Sequence, residues 1–197
     1  NSDLSRSLYK KAFESNNLYV RQAIATSMQT IPQQLQPSFE SLLEDESYLT
    51  IEKALFKLWE RFPKKKVDYL EKTRNIDGFY NKNVRMLWLT LSLVTAEFEP
   101  ERTSEYFEEL SGYTNPSNPF EVRENAFGYL FQLGAFNETS LESLLMATNH
   151  HAYRFRDFAR QLLDELIANE EYREKLINVS STIEEKHSRY LNSKISG

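Results

Sequence analysis

The sequence predicts an all-α fold, with short helices paired into hairpins that stack as an α-α superhelix. Three observations predict it. Apolar residues recur at helical spacing along almost the whole chain. Glycine and proline are sparse, five and six in 197 residues, whereas an all-β domain needs a turn signal roughly every 8–12 residues. A dipeptide, apolar then charged, recurs at the heads of successive helices: Val20-Arg21, Ile51-Glu52, Val84-Arg85, Val122-Arg123 and Phe155-Arg156, at intervals of 31, 33, 38 and 33 residues. Hairpins that bury their faces on their neighbours repeat on this scale. The pattern is that of a HEAT-like or armadillo-type solenoid of about five short hairpins, read as one domain over 1–197. Its rival is an irregular bundle with accidental periodicity.

Each element follows from local signals. Leu18 to Ile31 sets Val20, Ile24, Met28 and Ile31 on one face. Pro37 suits a first helical turn, ahead of the stripe Phe39, Leu42 and Leu43. Ser47 or Thr50 caps a helix lined by Ile51, Leu55, Leu58, Trp59 and Phe62, which Pro63 stops. Val67 and Leu70 mark a short amphipathic segment before the Asp77-Gly78 turn. Val84, Leu87, Trp88, Leu91 and Val94 form a strongly apolar helix that breaks near Pro100, and Tyr106, Phe107 and Leu110 belong to the next. Gly112 to Pro119 is the clearest loop, with Asn118 as cap and Pro119 at the first helical position of a helix closed by Gly134. Thr139-Ser140-Leu141-Glu142 fits a capping box. Phe155, Phe158, Leu162 and Leu166 then share a face, and the charged tail, 180–197, frays after about Ser188.

Composition excludes several kinds of chemistry. Without cysteine there are no disulfides, thiol nucleophiles or thiolate metal sites. The net charge of −5 and the lack of any basic run longer than Lys64-Lys65-Lys66 disfavour a nucleic-acid partner. No apolar run reaches the ~18 residues of a membrane span. The chain opens Asn1-Ser2-Asp3 and its first methionine is Met28, which reads as a piece of a longer or processed protein. Neither the exported nor the cytoplasmic compartment is selected.

Known catalytic patterns are missing from the sequence. Two zinc-binding imidazoles need spacing of about four residues to share a helix face, but the histidines are His150, His151 and His187. There is no glycine-rich loop before a lysine and no Gly-x-Ser-x-Gly. Asn137-Glu138-Thr139 and Asn178-Val179-Ser180 match the permissive glycosylation triplet. No catalytic, cofactor-binding or metal-ligating residue is therefore assigned. The candidates are partner-facing: the recurring Arg21, Arg85, Arg123 and Arg156, and the aromatics Phe79, Tyr80, Tyr113 and Tyr129 as walls of a peptide groove. The bland alternatives are a structural ladder of arginines with acids such as Asp157 and Glu124, and aromatic core packing.

Two segments carry a family resemblance: Ser41 to Leu55, a helix followed by an acidic Asp-x-Ser-Tyr turn and a new helix head, and Phe120-Glu121-Val122-Arg123-Glu124-Asn125-Ala126-Phe127. Both resemble the C-terminal helical-repeat region of bacterial zinc aminopeptidases of the aminopeptidase N (gluzincin) family, from about Leu8 to Val179. In that family the zinc ligands and the general-base glutamate lie outside the helical region. The resemblance implies a non-catalytic domain that packs on the catalytic domain of the same parent chain and helps enclose its peptide cavity. Any zinc would belong to that catalytic domain. The alternative is a free-standing HEAT-like scaffold for another protein.

Overall fold

The computed structural model describes residues 2–195. They form twelve α-helices joined by turns and short 3-10 segments, with no strand among the described residues. The all-α expectation holds. The helices are α1 (Ser2–Phe13), α2 (Leu18–Ser27), α3 (Gln36–Glu40), α4 (Tyr48–Arg61), α5 (Lys66–Thr73), α6 (Asn83–Leu93), α7 (Thr103–Gly112), α8 (Phe120–Leu133), α9 (Glu138–Ala147), α10 (Tyr153–Leu166), α11 (Glu170–Ser180) and α12 (Glu185–Ile195). No helix is long and apolar enough to cross a membrane. The chain divides into two compact units, Asn1–Thr103 and Ser104–Gly197.

In the first unit α4 packs on α2 and on α6, and α1, α3 and α5 pack on α2, α4 and α6 respectively. The recurring dipeptides fall in the first turns of α2, α4 and α6, so the sequence repeat marks one row of helices. Their heads lie together. Arg21 of α2 pairs with Asp45, just before α4, and Glu52 of α4 accepts from Asn83 Nδ2, the first residue of α6. α6 is buried nearly all round, from Asn83 through Ser92, because it has neighbours on more than one side. Trp88 fills its centre and donates Nε1–H to the Leu70 carbonyl at 2.7 Å. Ahead of α6 the chain turns at Gly78 with φ +96°, where a Cβ would stand 2.8 Å from the Val84 nitrogen. Glycine alone fits this turn.

In the second unit α10 packs on α8 and α12, while α9 packs on α10, α11 and α12. The heads of α8 and α10 adjoin, with the Phe120 and Phe155 ring centroids 6.0 Å apart. Gly134 closes α8 in the left-handed conformation, φ 60°, as its position after the apolar helix predicts. The tail expected to fray after about Ser188 is helix α12 to Ile195. Leu191 is fully buried, and Tyr190 Oη donates to Asp164 of α10 at 3.0 Å.

Several local expectations shift. Pro119, not Asn118, is the residue preceding α8, and Asn118 instead donates to the Gly112 carbonyl at 3.2 Å. The capping box of α9 is Asn137 with Ser140, two residues earlier than the Thr139 frame. Val20, Val67 and Val94 point outward, although each sits on a helical apolar stripe. Helix α1 has no counterpart in the sequence reading, which begins at Leu18, because Leu4, Leu8 and Tyr9 face outward and only Phe13 is buried.

Candidate functional site

The recurring charged position works inward. Arg21 forks onto Asp45 and donates to the Ser15 carbonyl at 2.6 Å, fixing the α1–α2 turn to the head of α4. Asp45 also accepts from the Ser47 N–H at 2.8 Å, so the Asp-x-Ser-Tyr turn is an Asx turn leading into the Ser47 cap. Glu52 takes the same repeat position on α4, where its carboxylate receives Asn83 instead of donating as an arginine would. Arg85 donates to the Arg74 carbonyl at 2.9 Å and stands 4.5 Å over the Trp88 ring.

Arg123 is 3% exposed. It donates to the carbonyls of Thr114 at 3.0 Å and Ser143 at 3.2 Å, and its guanidinium lies 4.9 Å over the Phe155 ring. Burial pushes its pKa down to about 10, which still leaves it charged at neutral pH. Arg156 is half-buried, 3.9 Å from Asp157 and 5.4 Å over the Tyr153 ring, and its buried Nε has no hydrogen-bond partner among the described residues.

Other cations work the same way without any motif to announce them. Lys57 Nζ donates to the carbonyls of Ala25, Thr26 and Met28 at 2.7, 2.7 and 2.8 Å, closing the C-terminal end of α2. A cation there satisfies orphan carbonyls and opposes the negative end of the helix dipole. Burial, and then Lys53, pull its pKa below the ordinary lysine value. Arg160 donates to the Thr148 carbonyl at 3.0 Å, at the end of α9.

The aromatic candidates divide between the units. In the first, Phe79 and Tyr80 are exposed in the turn before α6, and Phe79 meets the Tyr48 ring edge-on at 5.5 Å. In the second, Tyr113 is half-buried and donates to Glu109 at 3.0 Å, and Tyr129 is half-buried on α8. Exposed aromatics stand at four helix heads, Tyr19 on α2, Tyr48 on α4, Phe120 on α8 and Tyr153 on α10, with Tyr19 and Tyr153 72% and 66% exposed, while Tyr9, Phe56 and Phe131 are exposed elsewhere along their helices. No sequence motif singles them out, since they stand at varying distances, one to three residues, before the recurring apolar position.

The histidines form no ligand set. The His150 and His151 rings lie 4.2 Å apart, and His150 Nδ1 accepts from the Ala152 N–H at 3.1 Å, leaving it turned to the backbone. Burial, then His151 and Arg123, lower the His150 pKa. Among the described residues no three His, Asp or Glu side chains are grouped to hold a metal.

No protein-family model, no curated protein and no solved structure matches the chain.

Proposed function

We propose that this chain is a non-catalytic helical-repeat domain that works by contact with another polypeptide, as the C-terminal region of an aminopeptidase N-like zinc metallopeptidase. In that setting it packs on the catalytic domain and helps enclose the cavity that admits peptides. The observation that carries the contact reading is the contrast at the helix heads. The charged repeat positions Arg21, Glu52, Arg85 and Arg123 are held in internal bonds, whereas Tyr19, Tyr48, Phe79, Tyr80, Phe120 and Tyr153 face solvent. Single exposed aromatics are ordinary, but within each unit they recur at or just before braced helix heads, Tyr19, Tyr48, Phe79 and Tyr80 in the first and Phe120 and Tyr153 in the second, as a contact surface on that unit needs. The peptidase setting rests on the Ser41–Leu55 and Phe120–Phe127 resemblances.

The open reading frame around the chain tests the setting. A His-Glu-x-x-His with a downstream glutamate, encoded upstream in frame, supports it. A start codon at Asn1 overturns it and leaves the free-standing scaffold. Under both readings the purified chain hydrolyses no aminoacyl substrate and carries no stoichiometric zinc. Turnover that persists after chelation controls would refute the non-catalytic assignment.

A further inference from the structure

We propose, resting on the contact reading above, that the outer face of the α1–α2 hairpin receives a further helical hairpin of the parent polypeptide. That hairpin would stack on α1–α2 as α1–α2 stacks on the helices that follow it. The chain's own offset of 31 residues identifies the face. Leu4 and Leu8 of α1 are 70% and 58% exposed, whereas Leu35 and Phe39, each 31 residues on, are fully buried. On α2, Tyr19, Val20, Ala23 and Ser27 are exposed, whereas Thr50, Ile51, Ala54 and Leu58, 31 residues on in α4, are buried. One repeat further, Val84, Leu87 and Leu91 of α6 are buried as well.

The later positions show what covers such a face. Phe39 meets Phe13 of α1 edge-on at 5.6 Å. Lys57, three residues after Ala54 and so on the same side of α4, donates to carbonyls at the end of α2. The buried side of α3 and α4 is thus the side that the preceding hairpin occupies, and on α1 and α2 the corresponding side is open. The row also argues against a second copy stacked in the same sense. Such a copy would have to offer an uncovered leading face on α6, and α6 is buried nearly all round.

The same register gives the chemistry of the occupant. Arg21, Ile24 and Met28 share the side of α2 turned to α4, where Arg21 holds Asp45 and the two apolar residues are buried. On α4 the corresponding side carries Glu52, Leu55 and Trp59; Glu52 accepts from Asn83, and Trp59 donates to Thr95 Oγ1, just after α6, at 2.8 Å. The incoming helix therefore presents two apolar side chains four residues apart below a polar head. Leu18, Tyr19, Val20, Ala23, Thr26 and Ser27 on the exposed side of α2 carry no charge that would repel this ridge. Lys11, 31 residues before the buried Leu42, adds a cation whose stem can lie along the occupant. A terminal hairpin that meets only water needs a polar outer face, and this one is apolar on both helices.

The test extends the full 197-residue chain by one repeat, with residues 2–31 duplicated ahead of residue 2 as the probe hairpin. The copy should fold onto the open face, raising the urea slope through the added buried surface. Amide exchange over 18–27 of the original hairpin should slow about tenfold. L8R/A23R in the original hairpin, at two exposed positions, should leave the urea midpoint of the unextended chain unchanged and abolish the slowing in the extended one. A copy that exchanges freely, or slowing that survives L8R/A23R, would overturn the proposal. So would dimerisation of the unextended chain that L8R/A23R removes, since a second copy would then own the face. Such failures leave contact at Phe79, Tyr80, Phe120 and Tyr153 untouched, and an upstream frame without His-Glu-x-x-His leaves the stacking in place, so the two readings fail separately.

Discussion

Arg123 shows how one side chain can close several accounts of buried polarity at once. Thr114 follows α7, Ser143 lies within α9, and Phe155 opens α10; the guanidinium of α8 touches all three. Its cost is desolvation, visible in the lowered pKa, and its return is two charge-assisted hydrogen bonds and a ring contact. Methionine matches the stem but has no donor. R123M should therefore leave both carbonyls without their donor and destabilise the chain by about 3 kcal/mol, read as a lower urea midpoint at unchanged slope. R156M, at a half-buried guanidinium whose acid neighbour is 3.9 Å away, should cost well under about 1 kcal/mol. Equal losses for the two would show that the repeat position, and not its bonding, sets the stability. The recurrence of arginine at these heads was legible in the sequence. Its destinations were not, because main-chain carbonyls leave no signature in side-chain identity.

Helix ends show where local reading succeeds and where it slips. Ser47 caps α4 as its place before the apolar stripe predicts, accepting the Thr50 N–H at 3.4 Å. Gly134 and Pro37 also sit where a helix needs them. The α9 box slips by two residues. Asn137 caps as well as Thr139 would, and Ser140 returns the bond to the Asn137 N–H at 3.0 Å without any glutamate. N137A should lower stability by about 1 kcal/mol, with the loss of amide protection concentrated over 138–141; S140A should recover part of the same loss in a double-mutant cycle, since the two caps act as one unit. Tertiary context explains the other shifts. Val94 lies in helical register with Leu87 and Leu91 but follows the end of α6 and faces outward. Ser188-Arg189 in α12, 33 residues after Phe155-Arg156, occupies the next repeat position. Serine stands there in place of an apolar residue, so no hydrophobic pattern could reveal it, although Ser188 is buried.

At the scale of the whole molecule, helix content and the recurring helix heads follow from periodicity, whereas the cluster that sets the acid response does not. Glu40 accepts from Gln36 at 2.8 Å, Lys65 at 3.0 Å and Tyr69 at 2.8 Å, joining α3 to the start and middle of α5. Burial alone would raise its pKa, but these donors outweigh burial and hold it below its ordinary value near 4.5. A carboxyl lowered in the folded chain contributes stability above its unfolded value and loses it as pH falls through the folded one. His150, lowered by burial from 6.5, adds a loss that begins at higher pH, because the unfolded chain takes up its proton first. Tyr69 is displaced upward from 10.0, chiefly by burial and then by Glu40, so its contribution is intact below that value and declines above it. Stability should thus begin to fall as pH drops below about 6.5, whereas above 10 the loss from Tyr69 is opposed by Arg123 and Lys57, whose lowered values let the folded chain shed those protons before the unfolded one does. E40Q should unfold at lower urea than the parent chain at pH 7, and the two urea midpoints should converge as pH drops below 4.5, because the parent then loses the charge that the variant never had. Parallel acid limbs in the two proteins would remove Glu40 from the account and leave the acid loss to carboxylates elsewhere in the chain.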